Sequence, residues 1–168
     1  MADVLFNRVA FIGIGLIGSS LARVMRRDGL ARTIVACART EKTRRAALSL
    51  NLADSVTDNV AVAVSDADLI IICTPIGAYA SIAKSMSASL KKNAIVSDVG
   101  SVKGAVIDAV APYIPEGVHF VPCHPIAGTE NSGPESGFDT LFEDRWTILT
   151  PVKGSNEVAV ERVAELWR

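Results

Sequence analysis

Three glycines in the run Val9-Ala10-Phe11-Ile12-Gly13-Ile14-Gly15-Leu16-Ile17-Gly18 have a spacing suited to holding a phosphate. In a strand, turn and helix unit, Gly13 permits the tight turn, Gly15 admits a pyrophosphate against the backbone, and Gly18 lets helix and strand pack closely. The backbone at Leu16, Ile17 and Gly18 then opens a helix and offers free N–H groups and partial positive charge to an anion. Glycines alone also suit a purely structural turn. Here apolar residues 9–12 precede them, and Ile17, Leu21, Val24 and Met25 follow at helical spacing, which favours nucleotide binding.

A second group lies far along the chain. His124 stands between Pro122 and Pro125, which stiffen its backbone, as suits a positioned general base. The alternative is a loop histidine tied to Glu130 for structural reasons. Ser101 could bind the same substrate group, orient His124 or cap a helix. Lys103 falls in the first turn of that helix, where a cation is unfavourable, so either a ligand carboxylate or phosphate or simple exposure would account for it. Asp98 and Glu130 could fix the loop or orient the base. No arrangement of nucleophile, base and acid points to covalent hydrolysis, and no carboxylate and histidine cluster has metal-ligand spacing.

Elements must carry these groups to one place. The periodicity predicts a first strand ending at Ile12, a helix over 16–28 closed by Gly29, and a second strand over 33–37. At the tip of that second strand an acid would bind a ribose 2′-OH, and an arginine a 2′-phosphate. The tip reads Cys37-Ala38-Arg39-Thr40, and the nearest acid, Glu41, belongs to the next helix, 41–50. Arg39 and Thr40, with Arg44 beside them, therefore favour NADP over NAD, the alternative being a solvated Arg39. Further strands are expected over 54–57, 67–73, 94–98, 119–121 and 146–149. The continuously apolar run before Thr74-Pro75 belongs in mid-sheet. Helices are expected over 59–64 and 77–90, around Val102, Val106, Ile107 and Val110, and from 156 onward.

This alternation predicts an α/β, Rossmann-type, doubly wound and mainly parallel sheet with helices on both faces, one domain over 1–168. Ligands in such sheets sit beyond the carboxyl ends of the strands. Gly13 to Gly18, Thr74-Pro75, Gly100 to Lys103 and His124 to Glu130 should therefore converge, with Lys103, Gly128, Thr129 and Glu130 on the substrate side. His119 opens a strand and reads as an edge residue. The loop over 126–137 is long enough to be functional or mobile. The last helix carries Val160, Val163, Ala164 and Trp167 on one face and reaches Arg168 without a capping glycine, so a longer natural chain is expected.

A chain of 168 residues suits one domain, and 49% apolar with 21% charged residues suits a globular protein whose sheet is covered on both faces. A net charge of −1 gives no electrostatic reason to expect nucleic acid or an anionic membrane as partner. Cys37, Cys73 and Cys123 are too scattered for a disulfide framework or a zinc site and read as small buried apolar residues. Residues 1–8 lack the features of a secretory leader and no run reaches membrane-spanning length, so a cytoplasmic location is the default expectation.

Three blocks together resemble the prephenate/arogenate (cyclohexadienyl) dehydrogenases of tyrosine biosynthesis: Gly13 to Ser20, Asp98-Val99-Gly100-Ser101-Val102-Lys103, and His124-Pro125-Ile126-Ala127-Gly128-Thr129-Glu130-Asn131-Ser132-Gly133. The resemblance implies oxidative decarboxylation with a nicotinamide cofactor, His124 as the base on the substrate 4-hydroxyl and Ser101 as its assistant. It also implies a homodimer built by a helical C-terminal domain, which this sequence lacks. That leaves either a monomer or an apolar stripe from Val160 to Trp167 exposed to associate or aggregate. A dehydrogenase of the 6-phosphogluconate or hydroxyisobutyrate type, and a nucleotide-binding module without chemistry, are the competing readings.

Overall fold

A computed structural model describes residues 4–168; Met1 to Asp3, part of the stretch read for a leader, lie outside the described residues. Six parallel strands form the central sheet: β1 (Phe6–Ile12), β2 (Ala31–Cys37), β3 (Ser55–Thr57), β4 (Leu69–Ile72), β5 (Ile95–Asp98) and β6 (His119–Val121). Their order is β3-β2-β1-β4-β5-β6, so the chain reverses direction across the sheet between β1 and β4. That reversal is the switch point at which such sheets bind ligands. Leu69, Ile70, Ile71 and Ile72 of β4 are all buried, because helices cover both faces of this central strand.

The helices are α1 (Leu16–Arg27), α2 (Glu41–Ser49), α3 (Val60–Val64), α4 (Tyr79–Met86), α5 (Lys103–Val110) and α6 (Glu157–Leu166). One core layer packs Leu21 and Met25 of α1 and Val163 and Leu166 of α6 against Val9, Phe11, Leu69 and Ile71. The other packs Tyr79 and Ala83 of α4 and Val106 and Val110 of α5 against Ala10, Ile12, Ile70 and Ile72. The alternation along β1 and β4 sorts these residues between the two layers. The helix expected over 77–90 is shorter, because both ends tighten into single 3-10 turns, Ile76–Ala78 and Ser87–Ser89.

The seventh predicted strand forms, but not in the main sheet. Pro122 has no N–H to continue the ladder beyond Val121, and its carbonyl instead accepts from Thr150 N at 2.9 Å. The chain therefore starts a separate antiparallel ribbon of β7 (Cys123–Pro125) and β8 (Thr147–Leu149). The 126–137 loop is tied down at its far end. Phe138 N donates to Ser20 Oγ at 3.1 Å, and a Cβ on Gly137 would stand 2.1 Å from Ser19 Oγ.

The expected sticky stripe on the last helix is mostly covered. Val163 is fully buried, Val160 and Trp167 pack on the core, and Trp167 meets Phe142 edge-on at 5.1 Å. Exposed apolar side chains also gather at the ribbon, with Trp146 82%, Ile148 50% and Ile126 44% exposed, while Val158 of α6 is 69% exposed. Among the described residues no helix is long and apolar enough to cross a membrane.

Two carboxylates outside the ligand crevice stitch the sheet. Asp68 accepts from Arg8 N at 2.9 Å and Lys91 Nζ at 2.6 Å, and Asp54 accepts from Ile34 N at 2.7 Å. Burial would raise both, but Lys91 and the Arg8 N–H outweigh it at Asp68, and the Ile34 N–H and Arg26 outweigh it at Asp54, so both carboxyls are held below their usual range. A carboxyl lowered in the folded state stabilises it above the unfolded pKa, and that contribution is lost as pH falls through the folded value. The urea midpoint should therefore drop as pH falls below about 4. Asp68→Asn should cost about 1–2 kcal/mol at pH 7 and make that decline shallower in urea titrations.

Candidate functional site at the switch point

The three glycines divide by what surrounds them. Gly13 has φ +92°, and a Cβ there would stand 2.9 Å from Thr74 Cγ2 and 3.0 Å from the Cys73 carbonyl. A Cβ on Gly18 would stand 2.9 Å from Gly13 O. At Gly15 an added Cβ would have no protein atom within 4 Å. Gly13 and Gly18 are thus glycine because protein crowds them, whereas the space over Gly15 is open. Gly15 is the N-cap of α1, without a side-chain cap and with no acid in the first turn. The N–H groups of Leu16, Ile17 and Gly18 consequently have no intrahelical acceptors. Among the described residues Thr74 Oγ1, on the side chain that crowds Gly13, is buried with no hydrogen-bond partner, the kind of orphan a bound ligand would satisfy. These features fit the pyrophosphate of a dinucleotide.

At the tip of β2, Thr40 caps α2 by accepting from Thr43 N at 3.2 Å. Arg44 donates to the carbonyls of Ala38 and Arg39 at 2.8 and 3.0 Å, bracing the turn from below. Glu41 is paired with Arg45 at 2.5 Å. The exposed Arg39 guanidinium has no ion-pair or hydrogen-bond partner among the described residues.

The turn after β5 is organised by Asp98, which is fully buried. Its Oδ2 accepts from Gly100 N at 2.7 Å and Lys103 Nζ at 2.5 Å, and its Oδ1 accepts from Cys123 N at 3.2 Å. Lys103 Nζ also donates to the Cys123 carbonyl at 2.6 Å. The cation in the first turn of α5 is thus accounted for by Asp98, and neither exposure nor a ligand anion is needed to explain it. Burial pushes the Asp98 carboxyl above its usual range, with Lys103 and the Gly100 and Cys123 N–H groups opposing. Burial also pushes the Cys123 thiol up to about 12, which suits an inert packing residue.

Ser101 does not cap α5. Val102 occupies the N-cap without a side-chain bond, and Ser101 is exposed at the turn, where its hydroxyl remains available. His124 lies within β7 rather than in a free loop, opposite Ile148 of β8. Among the described residues no hydrogen bond ties its imidazole to Glu130, so the alternative of a structural tether is not formed. Gly128 and Thr129 line a hollow of about 450 Å³ with Ile126, Phe138 and Arg145, whereas Glu130 and Lys103 do not line it. Sequence reasoning left Asp98 among several options for fixing the loop. Its role follows from contacts with Cys123, 25 positions away, which no local pattern signals.

The sheet order, the open space over Gly15 and the unpartnered helix N-terminus define a Rossmann-type nucleotide-binding domain. The family model described as "Prephenate dehydrogenase, nucleotide-binding domain" matches residues 21–168, and the chain belongs to that family. The cyclohexadienyl dehydrogenase of Zymomonas mobilis is 42% identical over 162 residues, covering 96% of this chain and 55% of that protein. The prephenate dehydrogenase of Bacillus subtilis is 30% identical over 163 residues, covering 96% and 44%. Among solved structures, prephenate dehydrogenase from A. aeolicus in complex with hydroxyphenyl propionate and NAD+ superposes with TM-score 0.88 at 31% identity, over 96% of this chain and 56% of that one. Synechocystis arogenate dehydrogenase gives 0.86 at 28%, over 95% and 55%. The chain thus spans about half the length of the relatives it matches. Membership of this family sets aside the 6-phosphogluconate and hydroxyisobutyrate type.

Proposed function

We propose that this chain is the cofactor-binding part of an NAD(P)-dependent dehydrogenase that oxidatively decarboxylates prephenate or arogenate. The observation that carries the reading is the open space over Gly15 at the uncapped α1 N-terminus, with the orphan Thr74 hydroxyl on the neighbouring strand end in support. When bound, the nicotinamide supplies a hydride acceptor. Gly15, Leu16, Ile17 and Gly18 bind the pyrophosphate through backbone N–H groups, and Thr74 and Pro75 border the cofactor beyond β4. His124 accepts the 4-hydroxyl proton as the C–H bond at that ring carbon breaks, and Ser101 shares the hydrogen bond to the same hydroxyl. The carbon–carboxylate electron pair enters the ring, which becomes aromatic as CO2 leaves. Gly128, Thr129 and Glu130 face the substrate.

The rest of the site, and a homodimer interface, belong to a helical domain beyond this chain, so the isolated chain binds cofactor with little or no turnover. Cytoplasmic tyrosine biosynthesis is the setting this reading implies. Arg39 is offered to a 2′-phosphate, with Thr40 beside it, and no acid stands at the tip of β2 to select a free ribose hydroxyl. Parallel titrations following nicotinamide fluorescence should give NADPH about tenfold tighter binding than NADH, and Arg39→Ala should erase the difference. An NADH preference would keep the domain and overturn the Arg39 assignment. Binding of neither would count against the cofactor site itself.

A further inference from the structure

The buried pair Asp98 and Lys103 touches neither the open space over Gly15 nor the hollow beside the 126–129 loop. Both groups converge on the residue that precedes His124. Asp98 Oδ1 accepts the Cys123 N–H, and Lys103 Nζ donates to the Cys123 carbonyl, so the backbone is gripped on both sides of one residue. The same carboxylate fixes Gly100 N, and hence the turn that carries Ser101. The ion pair therefore links the β5 turn to the β7 strand, alongside the Cys123 thiol, which donates to the Asp98 carbonyl at 2.8 Å.

We propose that Asp98 and Lys103 are positioning residues for His124 and Ser101, a buried clamp that holds the base and its assistant in register across two separate sheets. The need for a clamp is topological. β7 leaves the main sheet at Pro122 and among the described residues pairs with β8 alone, so the parallel ladder itself does not fix where His124 stands relative to β5. A neutral hydrogen bond would hold the Cys123 N–H alone. The ion pair holds its carbonyl as well, because the ammonium donates to both oxygens at once. Tyr79, at the start of α4, covers Asp98 from that side, its O–H donating to Ile72 O at 3.1 Å and lying 3.4 Å from Asp98 Oδ2.

This proposal rests on His124 acting as the base, and the test is a double-mutant cycle in the full-length enzyme with prephenate or arogenate as substrate. Asp98→Asn should lower kcat roughly 100-fold, the effect of a misplaced catalytic group, while the Kd for cofactor changes less than about twofold. In a His124→Asn background the same substitution should change kcat by less than about twofold, because no base remains to be positioned. Lys103→Met should behave like Asp98→Asn, with Lys103→Arg recovering part of the loss, and it carries the cycle if Asp98→Asn does not fold. The full loss recurring in the His124→Asn background would overturn the clamp and leave a purely structural pair. An unchanged kcat in both Asp98→Asn and Lys103→Met would also overturn it while leaving the base reading intact. An unaffected His124→Asn enzyme would remove the base reading and the clamp together.

Discussion

His124→Asn lowers kcat by about a thousandfold in an enzyme containing this chain, with cofactor affinity essentially unchanged. Asparagine keeps a comparable side-chain volume and a hydrogen-bonding amide but cannot take a proton. The loss should therefore fall on the chemical step rather than on binding. The geometry limits collateral damage, since His124 is half-exposed on a two-stranded ribbon and no described hydrogen bond of its ring is broken. The expected readout is nicotinamide reduction under saturating cofactor, with thermal midpoint and cofactor Kd as controls. A variant that kept wild-type kcat would favour a nucleotide-binding module whose chemistry does not involve this residue.

Gly15→Val weakens cofactor binding by about 100-fold or more while leaving the folded state nearly as stable. The prediction depends on the difference among the three glycines. A Cβ at Gly15 meets no protein atom within 4 Å, so a larger side chain enters space reserved for ligand. The matched control is Gly13→Ala. That substitution combines a φ of +92° with contacts of 2.9 and 3.0 Å to Thr74 and the Cys73 backbone, and should lower the stability of the protein itself. Titration by nicotinamide fluorescence and thermal unfolding, run on both variants, separate the two roles. If Gly15→Val destabilised the fold as Gly13→Ala does, the turn would be structural and the phosphate reading would fail.

Most of the architecture was legible from local patterns. The run from Leu69 to Ile72 is apolar at every position, which fits only a strand covered on both faces, and it lies in mid-sheet beside β1. Gly29, at φ +65°, follows the end of α1 where a helix-terminating glycine was expected. The readings that changed depended on partners distant in sequence. Lys103, a cation in the first turn of its helix, left either a ligand anion or simple exposure as its explanation, and the structure supplies a third, a counter-ion Asp98 on the preceding strand. Of the roles open to Ser101, the cap is the one not taken, because the helix begins one residue later than a Ser101 cap requires, with Val102 as its N-cap. The stripe from Val160 to Trp167 looked free to associate because periodicity shows that a face is apolar without showing what covers it.

By itself the sequence determined the alternating elements, the glycine turn and the residue types able to bind a dinucleotide or move a proton. Each of these follows from backbone sterics and side-chain periodicity within about 20 residues. Only the tertiary structure decided that Gly15 faces open space while Gly13 and Gly18 face protein. It also decided that Pro122 diverts His124 into a ribbon of its own, and that a buried ion pair from β5 and α5 holds the residue before it. These outcomes depend on which groups packing brings within a few ångströms, and contacts between residues 20 and 25 positions apart leave no local pattern to read.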